Sequence, residues 1–293
     1  MKIIEVCYLI FLSFFRMSLA IFGGENSGEA FVCLCNRVDR DIDSGALNSE
    51  DYVGVVTVLN EKWVITASDR VIANDVLPNV DTSYLEVLCG PNEYVSSMYD
   101  LGLISTILDT SGINENLQAR RIIRYEYLQP YGLVLLELDE NLNGDAVINP
   151  ISLPPSSSYS PAGIRTIIGW EDQNYLLFTA KIKKKAEIEI LDIGNCMSGN
   201  NQISETNIRL ELQDCGTSGM LSCVNNPSPS ITTCNVDSGS PIVDFTSNPP
   251  ILVGIAMWNN RICNQDYIGL PVTTAVNMNM DTIINWIQEI TGS

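Results

Sequence analysis

The chain has 293 residues, 16 basic against 35 acidic side chains, a formal net charge of −19 and a pI near 4.2. That balance argues against nucleic acid and anionic membrane surfaces as partners, because both would repel it. It contains no histidine, so it lacks the side chain whose ordinary pKa lies nearest neutral pH and which is the commonest metal ligand.

Residues 1–20 read as a secretory signal. Lys2 precedes an apolar run from Cys7 to Phe15, and Ser18-Leu19-Ala20 places small residues at the cleavage site. The run is too short to span a bilayer, and no later stretch nears about 20 apolar residues. β-Rich runs then recur between turn-forming clusters: Val53–Leu59, Trp63–Ala67, Tyr84–Leu88, Leu133–Leu138, Arg165–Ile168, Lys181–Ile190 and Ile251–Ile255. Many short strands with little helix between them predict barrels or sandwiches. Lys181-Ile182-Lys183-Lys184-Lys185 opens an alternating strand whose charges predict a solvated edge. Asn149–Ala162, rich in Pro and Ser, reads as a linker between two halves, about 21–148 and about 163–293. Only Asp281–Ile290 has helical spacing, with Ile283, Ile284 and Ile287 on one face.

Loss of Cys7 with the signal leaves Cys33, Cys35, Cys89, Cys196, Cys215, Cys223, Cys234 and Cys263. An even number in an exported chain predicts disulfides. The same oxidising context, with no histidine, argues against a zinc site, so no metal or other cofactor is expected.

Six segments in order carry a resemblance. Ile21-Phe22-Gly23-Gly24 starts the exported chain, and Trp63-Val64-Ile65-Thr66-Ala67-Ser68-Asp69-Arg70 is a strand and turn. Tyr131-Gly132 leads into Leu133–Leu138, and Gly169-Trp170 follows the linker. Cys234-Asn235-Val236-Asp237-Ser238-Gly239-Ser240-Pro241 is a tight polar loop, and Gly254–Trp258 is a strand, with Trp286 in the terminal helix. Together these resemble the chymotrypsin- and trypsin-like serine proteases. The resemblance implies an all-β fold: two packed antiparallel six-stranded β-barrels and a C-terminal helix, over residues 21–293.

It also implies roles, position by position. Ser238 falls on the nucleophile, Asp69 on the histidine that serves as base, and Gly132 on the aspartate that orients it. A carboxylate titrates near ~4 and is a poor base for a hydroxyl at neutral pH, and glycine offers no side chain. Val236 replaces an oxyanion-hole glycine, Met257 a serine behind the triad, and Thr232 the residue at the pocket base. Asn259 and Pro271 stand on the pocket walls. Asp237 is the position that pairs with the freed N-terminal amine, here that of Ile21. Cys234–Cys263 matches the bridge beside the pocket, and Cys196 pairs with Cys215 or else Cys223. Two familiar bridges are replaced at both ends, by Gly54 and Arg70 and by Arg165 and Asp244; the latter two are placed to form an ion pair instead. Cys33, Cys35 and Cys89 have no counterpart, and Cys35–Cys89 is the pairing expected in the first barrel.

These readings lead to a secreted protease homologue that is not an enzyme. Such homologues, frequent in arthropods, act by binding an extracellular protein such as a protease or cascade component. The loops Gly216–Thr233 and Asp41–Asp51 are candidate contact surfaces. The alternative is a residual or altered hydrolase that uses Ser238; a storage protein without a specific partner is a third possibility.

Overall fold

A computed structural model describes residues 24–40, 47–68, 85–90, 92–95, 117–142, 148–174, 179–192, 221–225, 238–257 and 273–292. Six strands close a barrel: β2 (Val32–Arg40), β3 (Leu47–Val58), β4 (Trp63–Ala67), β5 (Leu85–Cys89), β7 (Gln118–Leu128) and β8 (Leu133–Leu138). They pair in the order β2-β3-β4-β8-β7-β5, all antiparallel. Closure removes the sheet edges and turns alternate residues of each strand into the barrel interior; Trp63–Ala67 and Leu85–Cys89 are buried at every position.

The second sheet has eight strands. These are β1 (Glu25–Asn26), β6 (Glu93–Val95), β9 (Gly163–Asn174), β10 (Thr179–Asp192), β11 (Leu221–Asn225), β12 (Pro241–Asp244), β13 (Ile251–Met257) and β14 (Thr273–Asn277). β9 pairs with both β12 and β10, so the path β10-β11-β14-β13-β12-β9 returns to its start. β1 and β6 come from the first half of the chain, yet both pair with β10.

Period-2 alternation sorts apolar side chains into two cores. On β9, Ile167 enters a cluster with Ile188, Ile242 and Val253. Its neighbour Ile168 and then Trp170 join the larger cluster, which includes the first-barrel residues. Helix α1 (Asp281–Thr291) adds Ile283 and Ile287 to that larger core, on the face the spacing predicted. It stops at Gly292, whose left-handed φ of 70° lets its N–H reach the Gln288 carbonyl at 3.0 Å. No helix among the described residues is long and apolar enough to cross a membrane.

The Pro/Ser-rich linker runs over both units and is pinned to each. Ile151 N donates to Val58 O at 3.1 Å, and Leu252 N donates to Ser152 O at 2.8 Å. Farther on, the expected ion pair forms: Arg165 Nη2 stands 3.6 Å from Asp244 Oδ2. It is not the exposed, weak kind, since the side chains keep only 14% and 5% of their exposure. Tyr159 donates its hydroxyl to Asp244 at 2.5 Å, while Thr246 donates both its N–H and its hydroxyl to the other carboxylate oxygen. Burial alone would raise the Asp244 carboxyl. The bonds from Thr246 and Tyr159, with the Arg165 charge, outweigh it and hold the carboxyl below its ordinary value.

Two sequence expectations are corrected here. The first barrel carries Cys33–Cys89, with S–S 2.04 Å, and not Cys35–Cys89. The register gives the reason: Leu34 faces Leu88 and Cys35 faces Val87, so one step further along the antiparallel pair brings Cys33 opposite Cys89. Cys35 remains a buried free thiol, pushed up to about 12 by desolvation against the opposing charge of Arg37. Such a thiol is inert. The lysine-rich start of β10 is likewise no solvated edge. Lys181 and Lys183 are buried, because β6 and β1 cover the edge that the sequence left open.

Candidate functional site

The two units meet around Thr66, near the end of β4. Gly239 N donates to Ala256 O at 2.8 Å and Ala256 N donates to Ser240 O at 2.9 Å, which fixes the Ser238-Gly239 turn onto β13. The same turn abuts the first barrel. A Cβ built on Gly239 would lie 2.3 Å from Thr66 Oγ1 and 2.3 Å from Val55 O, and the residue has φ +90°. Only glycine fits that approach and that backbone region. Thr66 in turn donates its hydroxyl to Val55 O at 2.6 Å. Ser238 is thereby a turn residue packed between the units, with 2% of its surface exposed.

Gly132 terminates a single 3₁₀ turn, Gln129–Tyr131, in the left-handed region at φ 61°. Its carbonyl accepts the Ser68 N–H at 2.8 Å, so the rim at Ser68 and the rim at Gly132 are tied together. The space above Gly132 is taken. A Cβ there would meet Met257 Cε at 2.3 Å and Ser68 Oγ at 3.4 Å. Met257 ends β13 and packs against the large core. A flexible thioether from the second sheet therefore occupies the volume that a side chain at residue 132 would need.

Of the residues singled out from sequence, the structure brings Gly132, Met257 and Ser68 into one contact group, and sets Ser238 beside Thr66 and Val55 through Gly239. Asp69, Thr232, Val236, Asp237, Asn259, Pro271, Ile21, Cys196, Cys215, Cys234 and Cys263 lie outside the described residues, as do the two candidate loops apart from the strand residues 47–51 and 221–225. The sequence reading missed Thr66. Its signal was a lone hydroxyl in the otherwise apolar strand Trp63–Ala67.

A separate cleft of about 350 Å³ is lined by Glu86, Ala119, Arg121, Asp139 and Glu140. It shares no residue with this group, and its one cation is already bonded to Asp139 at 3.0 Å. Among the described residues, no three His, Cys, Asp or Glu side chains converge as a metal site would require.

Comparison with known proteins agrees with this architecture. The family model described as Trypsin matches residues 48–287. The atrial natriuretic peptide-converting enzyme of Rattus norvegicus is 22% identical over 280 residues, covering 93% of this chain. The chain spans only 21% of the length of that relative. These matches correct one expectation: a trypsin domain and a relative named as a converting enzyme point to a protease, so the statement that the chain is not an enzyme does not stand. The matches leave the choice of base open, since the chain has no histidine.

Proposed function

Because this chain belongs to the trypsin family, we propose that it works outside the cell by engaging an extracellular protein, a protease or another cascade component, on a trypsin scaffold. Any chemistry on that bound protein runs through Ser238 without an imidazole. The observation that carries the reading is the Met257 methyl group over Gly132, 2.3 Å from where a Cβ would stand. An orienting carboxylate cannot enter there unless Met257 moves. Where no imidazole takes the serine proton, loops on a rigid scaffold remain the part of the fold suited to recognition. Export is supported by the apolar Cys7–Phe15 run and the small residues before Ile21.

The reading is tested by crosslinked capture from the native secretion, using the wild-type chain and Ser238→Ala. The expected result is the same partner held with equal affinity by both, whether or not the wild type goes on to cleave it. Capture of no partner, or of one that Ser238→Ala fails to hold, would overturn the reading.

A further inference from the structure

β10 carries a lysine whose side chain is wholly buried, Lys183. It sits where three chain segments meet. From the N-terminal side, Ser27 N donates to Lys183 O at 2.9 Å, and Lys183 Nζ donates to Glu29 O at 2.8 Å. From the segment that enters β6, Asn92 O accepts the Lys183 N–H at 2.8 Å. From β9, Trp170 lies directly opposite, and the ammonium stands 5.1 Å from its ring centroid.

The charges around it are accounted for element by element. On the N-terminal segment, Glu29 lies beside the amine, while Glu25 is 3.6 Å from Lys185 Nζ. On β10, Lys181 and Lys185 share its alternation and repel it. Lys184, on the other side, bonds Asn26 Oδ1 at 2.9 Å and sits 3.3 Å from Glu171 of β9. On β6, Glu93 pairs in register with Ile182 and Tyr94 with Lys181. Among the described residues, no carboxylate forms an ion pair with Lys183. A buried ammonium held by one carbonyl and one ring face is costly. Burial accordingly pushes the Lys183 amine down to about 7, against the raising influence of the Glu29 charge.

We propose that residues 25–29 form a pH-set strap: the neutral Lys183 amine keeps them on β10, and protonation of that amine loosens them. With the strap lifted the amine meets water and returns to its ordinary value near 10.5. Between about pH 7 and 10.5 the closed state therefore binds fewer protons than the open one. Closure strengthens as pH rises through that window, by up to about tenfold per unit, and is weakest and level below it. Residues 25–29 precede β2, so pH sets how firmly this segment is held to the second sheet. This inference is independent of any chemistry at Ser238.

Two measurements test it on the full chain. Hydrogen exchange at the Ser27 and Val32 amides, corrected for intrinsic rates, should show opening that grows several-fold per unit from pH 9 to 7 in the wild type. It should stay flat in Lys183→Met. Parallel profiles in the two proteins would overturn the proposal. Should Lys183→Met fail to fold, ¹⁵N NMR of the wild-type lysine amines decides. One amine titrating near 7 is expected, and all of them titrating near 10.5 would overturn it.

Discussion

Gly239→Ala is expected to lower the stability of the chain by about 3 kcal/mol or more. The new Cβ would lie 2.3 Å from both Thr66 Oγ1 and Val55 O. The hydroxyl can rotate away, although this breaks its 2.6 Å bond to Val55 O. The carbonyl is backbone in the middle of β3 and cannot yield without disturbing the barrel. Overpacking of this kind costs about 1–3 kcal/mol, and forcing alanine to a φ of +90° adds about 1–3 kcal/mol more. Gly292→Ala is the control. It also has a positive φ, +70°, but nothing lies within 4 Å of its Cβ position, so it should lose only about 1 kcal/mol. Urea unfolding of the two variants beside the wild type separates steric cost from backbone cost. Equal losses would mean that the Ser238 turn does not press on the first barrel.

Asp244→Ala is expected to cost about 3–5 kcal/mol, the range for removing one partner of a buried ion pair. Its carboxylate accepts from Tyr159 and twice from Thr246, and it faces Arg165. With it gone, Arg165 keeps, among the described residues, the carbonyls of Ile164 and Ser160 at 2.8 and 3.2 Å, and the linker loses its hold on β12 through Tyr159. The pH dependence has a defined sign. The folded carboxyl titrates below its ordinary value of 3.8, so its stabilisation is complete above that value and disappears as pH falls through the lower, folded one. Acid unfolding of the wild type should therefore steepen below about pH 4 relative to Asp244→Asn, which cannot titrate. Superimposable acid limbs would show that this network carries no linked proton.

Much of this fold was legible. All seven strand runs read from the sequence overlap observed strands, because each combines apolar residues with clear turn boundaries; Val53–Leu59 runs one residue past β3, and Tyr84 lies outside the described residues. β7 escaped because Arg120 and Arg121 stand on its two opposite faces and a register shift follows Ile122, which masks an alternation that buries only Ile122 fully. β1 and β6 escaped because strands of two and three residues carry no period of their own; they exist because β10 offers them an edge. That edge also explains the error at Lys183. Alternating charge normally marks a face in water, and only tertiary cover from distant segments can bury it. The cysteine error was one of register, since Cys33 and Cys35 point to the same side of β2 and only pairing with β5 chooses between them. At the candidate site, the resemblance singled out Gly132 and Ser238 as positions to inspect. The filling of one by Met257 and the clamping of the other through Gly239 depend on contacts between the two units, which no local pattern encodes.

The most direct measurement is the pH profile of Ser238 acylation by a phosphonate or activated ester, with Ser238→Ala as the blank. If the serine works without imidazole, labelling should rise steadily with pH from about 5 to 9, with no inflection near the histidine value of about 6.5. A plateau set by a group titrating between about pH 6 and 7, lost in Ser238→Ala, would show that another side chain has taken over as base, and would contradict the account.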